Sequence, residues 1–426
     1  MPPERLGLGV DLGTSGLRLA VVNTAGQLVA ECQSAYPAAF EQPLGWREGL
    51  KALCLQLPAD LRAAVVAVAI DGTSGTLLLC RPDGSLGPSP LDQALPYHLA
   101  CPEQAEAAAA LVGAAGAGLP AASASGSLAR ALRLLEQLGG TAERGPWLLR
   151  HQADWLMGWL LGTWRWGEEG NNLRLGWDQQ QGRWLGTIAE QPWSTALPEI
   201  CRSGQLLGPL GADAASALGL PQACLVVAGT TDASAAVLAA DLQPADGVTV
   251  LGTTLVLKQF SDQPLQGPGI SCQRVAGRWL VGGASNAGAG VLRRFFSDLQ
   301  LVELSRQIDP RSSSGLALRP LPRPGERFPV DDPLLEPVLE PRPVSDALYL
   351  QGLLEGLAAI EQAGWQRLEQ LGAPVVQRVI SLGGGARNPQ WRVLRQRLLQ
   401  RPVLNRPQCT AALGMARLAL SAAPTP

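Results

Sequence analysis

Several short stretches of this 426-residue sequence pair a carboxylate or hydroxyls with a glycine turn, a combination suited to handling phosphate and metal. In the first, residues 6–22, an apolar run ends in Asp11, Gly13-Thr14-Ser15-Gly16 interrupts, and a second apolar run returns. That is the pattern of a tight β-hairpin. Its glycine amides, with the hydroxyls of Thr14 and Ser15, form a concavity of donors suited to phosphate oxygens. Asp11 at the mouth of the concavity suits a hydrated Mg2+. On this stretch alone a plain hairpin with a glycine turn is an equal reading, and only recurrence of the pattern elsewhere in the chain decides between them.

The pattern returns. Residues 65–70 are a buried strand leading into Asp71-Gly72-Thr73-Ser74-Gly75-Thr76. Residues 225–228 are a short strand followed by Gly229-Thr230-Thr231-Asp232 and a small-residue helix over 233–240. Residues 248–260 repeat the opening hairpin with Gly252-Thr253-Thr254 at the turn. Two such hairpins, one beginning each half, imply two related domains facing each other across a cleft, with a polyphosphate clamped between them. A later turn, Gly383-Gly384-Gly385, lacks side chains, so a flat ring can lie against its backbone. Asn388 stands near to hydrogen-bond that ring, and Trp391 to stack on it or wall it off.

Around these turns the spacing predicts the rest of the scaffold. A third strand over 27–34 extends the opening meander, and helices are expected over 46–57, 127–138, with Ser127 as N-cap, and 147–161. The boundary between domains falls near 243/244, giving domains 1–243 and 244–426. Residues 310–344, rich in proline and arginine without periodicity, are expected to form a long surface insertion. A long helix comes next over 347–371, then a strand over 378–382, a helix from Pro389 to Leu399, a strand over 403–405 and a helix over 410–420.

Composition narrows the function classes. Net charge is -2 with no basic stripe, which argues against nucleic acid as a partner. Neither Lys51 nor Lys258 follows a glycine, so no GxxxxGK[ST] phosphate loop exists. The eight cysteines are scattered without a C-x-x-C and read as reduced, mostly buried thiols of a cytoplasmic protein. Two histidines are too few for a His-rich metal site. The chain enters its first strand at once, which leaves no room for a signal peptide, and no membrane span is expected.

Together, residues 11–18, 71–76, 228–236, 251–254, 282–290 and 383–388 resemble, in order, the FGGY family of carbohydrate kinases within the actin/hexokinase/Hsp70-like ATPases. The resemblance implies an α/β fold of two ribonuclease-H-like domains flanking a cleft, with ATP and Mg2+ as cofactors and a small sugar as substrate. It makes the hairpin of Asp11, Gly13, Thr14 and Ser15 the first phosphate loop and Gly252-Thr253 the second. Gly384, Gly385, Asn388 and Trp391 become the adenosine pocket. Asp232 becomes the base that activates the sugar hydroxyl, where the residues alone allow equally a helix N-cap. Asp11, Ser15, Ser74 and Asp232 are the expected sugar contacts, although many members carry a longer Gln- or His-bearing segment where Ser74 stands. Gln152 and Asp154 are weaker candidates, and Trp46, Trp155 and Trp159 are expected in the core. The pattern is most similar to the small cyanobacterial and plant kinases of D-ribulose. Xylulokinase is the enzymatic alternative, and an actin-like ATPase or sugar sensor the non-kinase one.

Overall fold

The computed structural model describes residues 4–116 and 118–424. By its contacts the chain forms two compact units. The first takes residues up to 239, 274–277 and those from 410 onward; the second takes 240–273 and 278–409.

The first unit is built on a six-stranded mixed sheet of β1 (Leu6–Leu12), β2 (Leu17–Val22), β3 (Leu28–Ser34), β4 (Val65–Gly72), β5 (Leu206–Pro209) and β6 (Leu225–Val227). Their spatial order is β5-β6-β4-β1-β2-β3. The glycine turn makes β1 and β2 an antiparallel hairpin, while β4 runs parallel to β1 and β6 parallel to β4. β1 is buried along its whole length and β4 nearly so, as central strands covered on both faces must be. The last helix, Ala411–Ala422, lies directly on β1: a Cβ at Gly9 would sit 1.9 Å from the Ala412 carbonyl oxygen. The same helix packs on Asp232–Leu238. A division at 243/244 assigns that last helix to the second half of the chain; its packing groups it with the first unit.

Two local expectations are corrected here. Residues 147–161 are not one helix. Leu148–His151 is a strand paired antiparallel with Leu77–Cys80, and the helix is Gln152–Leu161. The apolar run Trp147-Leu148-Leu149 serves either structure, and the pairing strand lies too far away in sequence to be read locally. Ser127 is not a cap either. Gly126 holds that position, and the Ser127 hydroxyl lies 3.1 Å from His151 Nε2. Trp46 and Trp155 are in the core as expected.

The second unit repeats the plan with β7 (Asp246–Leu251), β8 (Leu255–Ser261), β9 (Ile270–Val275), β10 (Arg278–Ala284), β11 (Arg378–Leu382) and β12 (Val403–Asn405). They lie in the order β9-β10-β8-β7-β11-β12. Again a hairpin, β7–β8, is flanked on its other side by a parallel strand, β11. A buried ion pair locks this sheet to two helices. Arg395, from Pro389–Leu399, makes two hydrogen bonds of 2.6 Å with Glu361, from Asp346–Gln370. Thr249 of β7 donates to the same carboxylate at 2.5 Å, and Arg395 donates to Ser381 of β11 at 2.6 Å. With both charges paired and further hydrogen bonds at each end, burial of the pair is tolerable.

Residues 310–344 are not a surface insertion. They form a strap that buries Leu318, Leu321 and Phe328 in the second core. The Phe328 ring lies against Gly283, where a Cβ would come within 2.4 Å of it. The prolines deny the strap regular periodicity, so its core residues left no pattern to read. The eight cysteines are free thiols, five of them buried and three partly so. Among the described residues no helix is long and apolar enough to cross a membrane.

Candidate active site

In the first unit, three carboxylates collect at the carboxyl ends of three neighbouring parallel strands, the edge where ligands bind in open α/β sheets. Asp11 ends β1 directly opposite Asp71 at the end of β4. β6 runs beside β4, and Thr231 forms a bridge with Gly72, which sets Asp232 at the same edge. That approach requires Gly229, where a Cβ would lie 1.8 Å from the Ile70 carbonyl oxygen.

The three groups differ in their surroundings. Asp11 is nearly buried, and its Oδ2 accepts from Arg18 Nη1 at 2.9 Å across the β1–β2 hairpin. Asp71 is fully buried, and neither of its oxygens has a hydrogen-bond donor. Burial above all, then the neighbouring charges of Asp11 and Asp232, hold its carboxyl well above the usual carboxylate range. Asp232 is the first residue of helix Asp232–Leu238, not its cap; Thr231 occupies that position. Its Oδ1 accepts from the Ala233 amide at 2.7 Å. Burial, with a smaller contribution from Asp11 and against the Ala233 amide, pushes it up to about 6. A carboxyl poised there is ionised at neutral pH and is a stronger base than an ordinary aspartate.

The turn after Asp11 is closed by Gly13 N donating to Gly16 O at 3.0 Å, and it leaves Thr14 and Ser15 exposed. Thr14 Oγ1 donates to Tyr97 Oη at 3.3 Å, and Tyr36 Oη donates to Gly13 O at 2.8 Å. In the turn after Asp71, Ser74 is partly exposed while Thr73 and Thr76 are buried and joined at 2.7 Å. Gln152 accepts from the Thr73 amide and hydroxyl, so it supports the turn from behind. Below lies Arg130, fully buried, donating to the carbonyls of Gly75, Tyr97, Leu99 and Ser125. Burial pushes its guanidinium down to about 10. Asp154 accepts from the Glu168 amide and from Asn172, which gives it a structural place. Sequence reasoning missed Tyr97 and Arg130, which carry no local motif. Asp71 was visible in the repeated turn but had no role assigned to it.

In the second unit the Gly252-Thr253-Thr254 turn leaves Thr253 exposed. Ala289 N donates to Gly252 O at 2.9 Å and Gly290 N to Thr253 O at 3.2 Å. Beyond lies a cavity of about 570 Å³ lined by Gly384, Gly385, Asn388 and Trp391 together with Ser305 and Arg293. Its volume suits a small-molecule site. The side chain of Asn388 is already engaged: Oδ1 caps the helix at Gln390 N and Trp391 N, and Nδ2 donates to Ser305 Oγ at 2.9 Å. Trp391 is buried behind Gly385 and walls the cavity, its indole nitrogen unpartnered.

Residues 247–423 match the model of the FGGY family of carbohydrate kinases, C-terminal domain. Over that span the chain is similar to the family's C-terminal domain. Solved structures extend the likeness over nearly the whole chain. A xyloylose kinase from Brucella ovis superposes with a TM-score of 0.80 at 19% identity, covering 98% of this chain and 90% of that one. A xylulose kinase from Rhodospirillum rubrum gives 0.79 at 20% identity, covering 97% and 89%. The glycerol kinase of Plasmodium falciparum with ADP gives 0.77 at 14% identity, covering 98% and 90%. At these identities the likeness is one of fold, the two-domain FGGY kinase fold.

Proposed function

We propose that this chain is an ATP-dependent sugar kinase of the FGGY family that phosphorylates the terminal hydroxyl of a ketopentose, D-ribulose before others. The observation that carries the reading is Asp232. It stands at the carboxyl edge of the first sheet beside Asp11 and Asp71, with its pKa raised to about 6. Phosphoryl transfer needs an oriented hydroxyl and a carboxylate to take its proton. Asp232 accepts that proton as the sugar oxygen bonds to the γ-phosphorus, and ADP leaves with the electrons of the broken P–O bond. Thr14 and Ser15 supply exposed hydroxyls to phosphate oxygens on the first unit, and on the second the turn of Gly252, whose amide donates to Thr254 O, presents the exposed Thr253. Gly384, Gly385 and Trp391 form the walls of the adenosine cavity.

Asp11 is the residue that would hold Mg2+, which when bound neutralises charge on the phosphates. The residues fit such an ion. The partnerless oxygens of Asp71 and the charge of Asp232 leave an acidic edge that Arg18 alone does not balance. Among the described residues no group of three or more His, Cys, Asp or Glu forms a metal cage.

The sugar contacts proposed are Asp11, Ser15, Ser74 and Asp232, a set of acceptors and hydroxyls suited to a neutral polyol. Arg18 brings a cation close to this set, but it is paired with Asp11. That disfavours an acid sugar. D-xylulose is the second reading, favoured by the xylulose kinases among the structures of this fold. One hydroxyl's configuration separates the two sugars, and a site that hydrogen-bonds it discriminates strongly. With saturating Mg-ATP, kcat/KM for D-ribulose is expected to exceed that for D-xylulose by at least about tenfold, a difference of ~1.4 kcal/mol. Preference for D-xylulose or glycerol sinks the ribulose assignment. ADP release indifferent to every ketose sinks the kinase one in favour of an ATPase or sugar sensor.

A further inference from the structure

The strap over residues 310–344 does more than cover the second core. Where it passes the end of β10 it inserts Glu326, 5% exposed, into the segment beyond that strand. Glu326 Oε2 accepts from Ser285 Oγ at 2.5 Å, and Oε1 accepts from the Asn286 amide at 2.7 Å. The clasp closes from both sides. Asn286 Nδ2 donates to Gly325 O at 3.0 Å, and Arg327 Nε donates to Ala284 O at 2.7 Å. The strap holds its own shape here through paired amide bonds between Glu326 and Asp332, of 2.8 and 2.9 Å.

What the clasp holds is the floor of the Gly252-Thr253-Thr254 turn. Ser285 Oγ accepts from the Ala287 amide at 2.9 Å. Ser285 N donates to Leu255 O at 2.9 Å, and Leu255 N donates to Ala287 O at 2.7 Å. Immediately afterwards Ala289 N and Gly290 N hold the carbonyls of Gly252 and Thr253. The fit leaves no slack: a Cβ on Gly288 would lie 2.4 Å from Thr253 O. A run of hydrogen bonds therefore leads from the Glu326 carboxylate through Ser285 and Ala287 to the turn. Donors to a phosphate act by being held in place beforehand, and charge-assisted bonds from a buried carboxylate are strong enough to do it.

We propose that Glu326 is a positioning residue for the second phosphate loop, acting through Ser285 to set the amides and hydroxyls of Gly252–Thr254 for the phosphates of the nucleotide. The proposal rests on the kinase reading, in which that turn meets phosphate. Of the residues in this run only Ala289 also lines the adenosine cavity, so disturbing Glu326 loosens the hold on phosphates far more than the hold on the nucleoside.

The test is calorimetric binding of ADP and of adenosine to the full chain, in wild type, Glu326→Gln and Ser285→Ala. Glu326→Gln keeps the shape of the side chain and one acceptor. Ser285→Ala removes the relay and leaves the strap carboxylate, so one variant remains if the other fails to fold. The expected result is ADP affinity down about fivefold to tenfold in each variant, adenosine affinity within about twofold of wild type, and a melting temperature lowered in both by the buried partners left unpaired. ADP and adenosine weakened together, or neither weakened, overturns the proposal. Wild-type protein that binds neither ligand overturns the kinase reading itself, a result distinct from both.

Discussion

Asp11 and Asp71 face one another in register at the ends of adjacent parallel strands, yet only Asp11 has a counter-charge, the Arg18 guanidinium 2.9 Å from its Oδ2. Asp71 has no donor at either oxygen and no exposure to solvent. Burial, then the charges of Asp11 and Asp232, holds the Asp71 carboxyl well above the usual carboxylate range, so an edge with Asp11 and Asp232 against one guanidinium gains from a divalent cation. Asp11→Ala removes the carboxylate nearest the phosphate turn. The Mg2+ concentration for half-maximal turnover is expected to rise about tenfold or more, with turnover depressed. Thr14→Ala, which deletes an exposed donor, is expected to slow transfer without shifting that titration. Mg2+ titrations of Asp11→Ala that overlay the wild type would end the metal role.

With Asp232 as the proposed base, Asp232→Asn is expected to cost roughly 10²- to 10⁴-fold in turnover while ATP still binds. Turnover matching the wild type would show that the proton goes elsewhere.

The raised pKa of Asp232 predicts two pH effects of opposite sign. The base must be ionised, so kcat/KM is expected to fall about tenfold per unit below its pKa of about 6, and Asp232→Asn lacks that limb. Stability runs the other way. The folded state holds the proton more tightly than an unfolded chain with a pKa of 3.8 does, so this group's contribution is greatest below about pH 4. It is lost as pH rises to about 6. At pH 7.5, Asp232→Asn is therefore expected to be more stable than wild type by on the order of 1–3 kcal/mol, with the gain vanishing near pH 4. Denaturant unfolding at both pH values measures it, and an equal gain at both rules out the ionised carboxylate as its source.

The elements legible in the sequence were those whose apolar runs are cut by glycine turns. The β1–β2 and β7–β8 hairpins, β4, β11 and the helix opened by Pro389 are where the pattern put them. Asp11 and Asp232 were legible because a carboxylate beside such a turn is a local signal. What escaped depends on distant partners. Leu148–His151 is a strand only because Leu77–Cys80 lies alongside it. Phe328 is core only because Gly283 makes room. Asn388 has the composition of a ligand contact, and the structure spends its side chain on a helix cap and on Ser305.

The buried pair in the second unit gives a stability prediction. Arg395→Met leaves Glu361 buried with its charge uncompensated, keeping only Thr249 and Trp365 as donors. The expected loss is about 3–5 kcal/mol. It is read as a lower urea midpoint with an unchanged slope. Restoration by the double variant Arg395→Met/Glu361→Leu would confirm the orphaned charge as the cause, and a single variant as stable as wild type would refute it.

In the proposed reading the glycine triplet borders the nucleoside, and its three members are not equivalent. Gly383 has φ +82°, a conformation that strains any side chain. A Cβ at Gly385 would come within 2.6 Å of the Trp391 ring. A Cβ at Gly384 meets no atom within 4 Å, although the residue lines the cavity of about 570 Å³. Gly384→Val should therefore fold as wild type does and lose space only for a ligand. ATP affinity is expected to fall by about tenfold or more, the loss when a branched side chain overlaps a bound ring. Melting temperature and sugar binding are expected to hold, whereas Gly385→Val, which strikes Trp391, is expected to lower the melting temperature. Calorimetric titration of ATP into Gly384→Val reads the outcome, and an affinity equal to wild type would move the nucleoside to another part of the chain.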